Sequence, residues 1–220
     1  MGKELSERMV VVFDFDGTIA DTSATIISTA TRVLADWGIE GPALERVGEL
    51  IGPPFPQAFE QVFGLTHEDA VEVTRRYRSI YTHLGPEAWP AFPGIVDLLG
   101  ELRDAGRKLA IASSKRTSLV MRGLRDNGID TLFCTVRAKD TDELLTKEGA
   151  IAQAIADVGA STDDAVMVGD RHHDVEAARA CGVPCMGVLY GKTAPRSELV
   201  DAGAACVAQT VEELRKILLG

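Results

Sequence analysis

Apolar and polar residues follow two different rhythms along this chain. Short apolar runs at 10–13, 108–112, 132–136, 165–169 and 185–189, with a briefer one at 205–207, predict strands buried in a sheet. Elsewhere the apolar positions return at helical spacing. Ile26, Ile27, Ala30, Val33, Leu34 and Trp37 do so ahead of Gly38, a suitable helix terminator. Gly41-Pro42 opens a further short helical stretch, and Ile51-Gly52-Pro53-Pro54 breaks the pattern. Helices are predicted over 55–63, 68–83, 95–105, the stretch through Leu124 to Gly128, 147–158, 174–180 and 211–219.

Between residues 20 and 90 no strand pattern occurs, so this all-helical block reads as an insertion between the first strand and the second. From Phe92-Pro93-Gly94 onward strands and helices alternate, which implies a parallel sheet covered on both faces. The fold class expected is α/β. A length of 220 residues accommodates one core domain with a smaller insertion.

Composition narrows the function classes. The net charge of −10 argues against a protein that tracks nucleic-acid phosphates, and leaves small phosphorylated ligands open. Cys134, Cys181, Cys185 and Cys206 show no paired zinc-ligand spacing and read as small apolar residues of a reducing compartment. The first eight residues are charged, without an apolar signal core, and no stretch is long enough to span a bilayer. A cytoplasmic protein with no membrane partner is expected.

The chemistry concentrates where the first strand ends, in Asp14-Phe15-Asp16-Gly17-Thr18. Ending a buried strand in two carboxylates is costly unless something offsets the charge, and a divalent cation is the natural candidate. Ligands of a parallel sheet bind outside the carboxyl ends of its strands. Two other strand ends carry polar residues there: Ser113 and Ser114, and Asp170 with Asp174 beyond it. Lys147 opens the helix between them. A serine after a strand commonly caps the next helix, and Ser113 or Ser114 would do so. Taken together, the set suits phosphoryl transfer through an aspartyl intermediate, with one carboxylate attacking, a second exchanging protons, and a hydroxyl and a lysine holding phosphoryl oxygens.

With these motifs in this order, the chain resembles the haloacid dehalogenase-like hydrolases, specifically the phosphoglycolate phosphatase-like branch with a helical cap. The motifs are Asp14-Phe15-Asp16-Gly17-Thr18, Ser113 in Ile111-Ala112-Ser113-Ser114-Lys115, Lys147 in Leu145-Thr146-Lys147-Glu148, and Gly169-Asp170-Arg171-His172-His173-Asp174. The resemblance implies a Rossmann-like core at 1–20 and 90–220 and a cap at 21–89. It implies Asp14 as nucleophile and Asp16 as general acid/base. Mg²⁺ would be held by Asp14, the Asp16 backbone carbonyl and Asp170, with Asp174 a ligand through water or a supporting group. Thr18, Ser113, Ser114 and Lys147 would serve the phosphoryl group of a small phosphorylated metabolite, with Lys115 a rival for the lysine role.

Two features depart from that pattern. Lys192-Thr193-Ala194-Pro195 follows Tyr190-Gly191 where the branch often has a second aromatic-glycine element. His172 and His173 sit inside the fourth motif and read as turn residues, since Mg²⁺ prefers oxygen ligands. On the predicted helix at 68–83, Arg75 and Arg78 share a face, either solvated or reaching a substrate anion. A phosphomutase, a dehalogenase and a receiver-type phosphoacceptor domain are the competing readings. Asp16, the Asp170/Asp174 pair and the helical insertion count against the last two.

Overall fold

A computed structural model of the chain describes residues 3–140 and 146–220. Leu145, which opens the third motif, lies outside the described residues, as do Met1 and Gly2. All sheet pairings are parallel, and the strand order is β3-β2-β1-β4-β5-β6. The strands are β1 (Val10–Phe13), β2 (Lys108–Arg116), β3 (Phe133–Lys139), β4 (Ala165–Gly169), β5 (Cys185–Val188) and β6 (Cys206–Ala208).

The reason β1 is apolar throughout is visible in its neighbours. Val11 and Phe13 pack into the core on one face of the sheet, while Val10 and Val12 pack into the core on the other. A strand buried on both faces has no polar side to show. β1 lies between β2 and β4, with Phe13 opposite both Ile111 and Val168. The next residue, Asp14, donates its amide to the Val168 carbonyl at 2.9 Å, so the first aspartate emerges level with the ends of both neighbours.

Between β1 and β2 the described chain is helical apart from short bridges. It holds α1 (Ser23–Asp36), a 3₁₀ stretch (Gly41–Leu50), α2 (Gln57–Phe63) and α3 (His67–Tyr81). Gly38 takes φ +95° and ends α1, and the Thr66 hydroxyl caps α3 through the Asp69 amide. The segments entering and leaving this insert run side by side, with Asp21 N donating to Pro90 O at 2.8 Å and Phe92 N to Ile19 O at 3.0 Å. Inside the insert an aromatic series runs from Phe55 through Tyr77 and Tyr81 to Trp89, with ring centroids 5.0, 5.2 and 5.8 Å apart.

The remaining helices are α4 (Ile95–Asp104), α5 (Thr117–Asp126), α6 (Lys147–Asp157), α7 (His172–Ala180), α8 (Arg196–Ala202) and α9 (Val211–Leu219). No helix of the described residues is long and apolar enough to cross a membrane.

Three local expectations need correction. β2 does not stop at Ala112 but continues to Arg116, with a register shift against β3 beyond Ala112. Ser113 and Ser114 therefore lie in a strand, and the residue before α5 is Arg116, so neither serine caps that helix. His172 and His173 open α7 rather than forming a turn. In addition, α8 is unmarked by the apolar pattern, because only Leu199 of its seven residues is buried.

Candidate active site

The carboxyl ends of β1 and β4 bring Asp14, Asp170 and Asp174 together. Oxygens of the three carboxylates lie within 4.8 Å of one another, and all three residues are buried. The local chain explains how so much charge is placed. Asp174 Oδ2 accepts the amides of Asp170 and Arg171, both at 3.1 Å, which ties the start of α7 back onto the end of β4. Close packing needs glycine at two points. A Cβ on Gly17 would stand 2.1 Å from Asp170 Oδ2, and one on Gly169 would stand 2.3 Å from Asp174 Cγ.

Lys147, the first residue of α6, reaches this cluster. Its Nζ lies 2.9 Å from Asp14 Oδ1 and 2.7 Å from Asp174 Oδ1. Burial works against its charge, yet Asp14 and Asp174 together push the ammonium up. One ammonium against three carboxylates leaves the cluster negative. Burial pushes Asp14 up to about 6 despite Lys147, with Asp174 and Asp16 adding to the rise. Burial, then Asp174 and Asp14, push Asp170 well above the carboxylate range. Asp170 Oδ2 is buried with no hydrogen-bond partner among the described residues. An orphaned oxygen within an under-neutralised, all-oxygen donor set fits a hard divalent cation such as Mg²⁺.

Asp16 behaves differently from Asp14. Its carboxylate is taken by Lys115, whose Nζ lies 2.8 Å from Oδ1 and 3.1 Å from Oδ2, and it is not among the converging carboxylates. The rivalry between the two lysines resolves into two separate places, Lys147 at Asp14 and Lys115 at Asp16. Thr18 is likewise relocated. It is fully buried, its hydroxyl donates to Asp170 Oδ1 at 3.3 Å, and its carbonyl accepts the Tyr190 hydroxyl at 2.7 Å. The hydroxyl thus braces Asp170 from behind instead of facing the cleft.

Ser113 is buried, and its Oγ accepts the Lys115 amide at 3.3 Å. Ser114 lines two adjoining spaces. The larger, about 350 Å³, extends past Lys147, Lys139 and Gln57, and the smaller, about 80 Å³, lies against Asp16, Lys115, Tyr81 and Arg78. Both are walled on one side by the Gly52-Pro53-Pro54 loop of the helical insert. The two arginines of α3 part company. Arg75 is exposed and paired with Glu72 at 2.7 Å, whereas Arg78 lines the smaller space.

Several contributors are assigned no role by the motifs. Thr193, in the stretch that departs from the branch pattern, donates to the Asp170 carbonyl at 3.4 Å. Arg171 donates to Glu198 Oε1 at 2.8 Å and to the Ile51 carbonyl, joining α8, α7 and the insert loop. His172 Nδ1 also meets Glu198 Oε1, at 2.8 Å. Their partners come from remote elements, which no local spacing reveals.

Comparison with known proteins identifies the family. A sequence model of the haloacid dehalogenase-like hydrolases matches residues 11–188. Tyrosine-protein kinase PtkA of Mycobacterium tuberculosis is 34% identical over 213 residues, covering 95% of this chain and 72% of PtkA. A 5′-nucleotidase of Pseudomonas aeruginosa is 34% identical over 182 residues, 82% of each chain. A phosphoglycolate phosphatase of Caulobacter vibrioides is 30% identical over 199 residues, 87% of this chain and 84% of that one. Among solved structures, a predicted phosphatase from Clostridium acetobutylicum superposes with a TM-score of 0.90 at 31% identity, over 97% of this chain and 99% of that chain. By sequence and by fold, the chain belongs to the haloacid dehalogenase-like hydrolases.

Proposed function

We propose that this chain is a Mg²⁺-dependent phosphomonoesterase that hydrolyses a small phosphorylated metabolite through an aspartyl-phosphate on Asp14, in the manner of a phosphoglycolate phosphatase. The observation that carries the reading is the convergence of Asp14, Asp170 and Asp174 with Lys147, which also lines the larger cleft. Asp14 is the nucleophile: its carboxylate attacks phosphorus and the leaving oxygen departs. Lys147 orients Asp14 and presents positive charge to the phosphoryl oxygens. Ser113 and Ser114, at the end of β2, offer hydroxyl donors to the same oxygens. Asp16 gives a proton to the leaving oxygen, then takes one from the water that cleaves the aspartyl-phosphate. Mg²⁺, held by Asp14, Asp170 and the Asp16 carbonyl, would offset the repulsion between an anionic nucleophile and an anionic phosphate. Asp174 and Thr18 hold these groups in place. Residues 1–20 and 90–220 form the catalytic core, and residues 21–89 act as a cap that closes the cleft and selects the leaving group.

The test is phosphate release by the purified protein from an aryl phosphate, phosphoglycolate, nucleoside 5′-monophosphates and pyrophosphate. Turnover is expected with Mg²⁺ and abolished by chelator, and Asp14→Asn should fall below detection. Full rates in chelator, or in Asp14→Asn, would overturn the proposal. So would a kinase activity, as PtkA is named for, without monoester hydrolysis.

A further inference from the structure

Lys115 has its own place in the site, at Asp16, apart from the contacts Lys147 makes with Asp14 and Asp174. Because β2 runs on past Ala112, this side chain is carried across to Asp16 and buried beside it. Its own amide is fixed by the Ser113 hydroxyl. Its Nζ lies 2.8 and 3.1 Å from the two Asp16 oxygens and 3.1 Å from the Tyr81 hydroxyl. It also stands 4.7 Å from the centre of the Tyr81 ring. An ammonium has three hydrogens to donate, and these contacts use them all. A carboxyl group held through both oxygens cannot rotate freely, yet each oxygen keeps a further site that can exchange a proton. Tyr81 in turn is fully buried in the helical insert and stacked on Tyr77. Each aspartate of the Asp14/Asp16 pair thus has its own lysine, and the one serving Asp16 is oriented by the insert.

We infer that Lys115, oriented by Tyr81, is the positioning residue for Asp16 in proton transfer to the leaving group. This rests on the phosphomonoesterase reading above. As the phosphorus–oxygen bond of the substrate breaks, its electron pair stays on the leaving oxygen, which takes the Asp16 proton. The Asp16 carboxylate left behind is neutralised by the ammonium already in contact with it. Lys115 never touches phosphorus, so its effect must scale with how much the leaving oxygen needs a proton. The helical insert, through Tyr81, is then part of the proton-transfer apparatus as well as a lid.

The test compares kcat/KM for an alkyl phosphate with no charge on its alkyl group with that for 4-nitrophenyl phosphate, whose leaving group departs without protonation. This ratio reports only the steps through leaving-group departure, so later cleavage of the aspartyl-phosphate does not enter it. Lys115→Met should lower the alkyl value by about 30-fold, short of the roughly 100-fold or more that a positioned acid contributes, because Asp16 itself remains. Its loss on the aryl substrate should be at least about tenfold smaller, and Lys115→Arg should recover part of the difference. In an Asp16→Asn background, Lys115→Met should cost nothing further on the alkyl substrate, because both changes act through one group. Equal losses on both substrates, or additive losses in the double variant, would overturn the inference and leave the phosphatase reading intact. If Lys115→Met fails to fold by circular dichroism, Tyr81→Phe decides: a loss confined to the alkyl substrate supports the inference, and an even loss overturns it. Wild-type protein that turns over neither substrate would overturn the underlying reading and the inference with it.

Discussion

Gly123 lies in the middle of α5, where helix propensity alone favours alanine by about 1 kcal/mol. The tertiary structure reverses the sign. A Cβ at this position would stand 2.4 Å from Phe15 Cζ and 3.2 Å from Cε1 and Cε2. Carbon atoms prefer about 3.5–4.0 Å, so the ring or the helix must retreat by roughly 1 Å. Phe15 is fully buried and cannot swing aside, and its chain neighbours are Asp14 and Asp16. Overpacking costs about 1–3 kcal/mol, and a contact this short belongs at the upper end. Setting about 3 kcal/mol against a gain of about 1 leaves a net loss of about 2 kcal/mol for Gly123→Ala. For a chain of this size that lowers Tm by about 4–8 °C. The same displacement moves both aspartates, and an error of about 1 Å in a reacting group can cost on the order of 100-fold in rate. The assay is thermal unfolding together with kcat/KM on 4-nitrophenyl phosphate in Mg²⁺. Combining Gly123→Ala with Phe15→Leu, which removes the obstructing ring, should bring Tm back to that of Phe15→Leu alone. A Gly123→Ala protein that melts higher than wild type and keeps its rate within about twofold would refute the packing argument, because helix propensity would then have decided the outcome.

Asp14→Asn should abolish turnover yet stabilise the metal-free fold above pH 6. Burial holds Asp14 at about 6, above the ordinary 3.8, so the folded state binds that proton more tightly than the unfolded chain. Wild-type stability in chelator therefore rises as pH falls from about 6 towards 3.8, the asparagine variant lacks that component, and Mg²⁺ reverses their order. Urea unfolding from pH 5 to 8 reads this directly, and an asparagine variant that unfolds first in chelator at pH 8 would contradict it. Arg78→Ala should alter the ranking of substrates by kcat/KM, since Arg78 lines the space beside Asp16, whereas the exposed, Glu72-paired Arg75→Ala should leave it unchanged. An identical ranking in both variants would remove Arg78 from substrate selection.

Much of this architecture is local and was readable as such. β1 announces itself because burial on both faces demands an unbroken apolar run, and a strand that then ends in Asp14 and Asp16 signals a site. The helices of the insert follow from apolar spacing and from stops such as Gly38. The four motifs singled out Asp14, Ser113, Lys147 and Asp170, because each adjoins the end of an apolar run or the start of a helix whose rhythm is plain. A helix whose seven residues bury one leucine, α8, has no such rhythm.

What the tertiary structure decided is which group meets which. The sequence offers Lys147 for one lysine role with Lys115 as its rival, and only the placement of β2 and α6 around β1 assigns one to Asp14 and Asp174 and the other to Asp16. Thr18 looks like a phosphate donor until folding seals its hydroxyl against Asp170, a residue 152 positions away. Arg75 and Arg78 share a helical face by spacing, but the packing of α3 leaves one in water and turns the other toward the cleft. The physical reason is common to all three. Backbone preference and apolar spacing act within a few residues, whereas the partner of a buried charge is selected by the low dielectric that exists only once distant elements have closed around it.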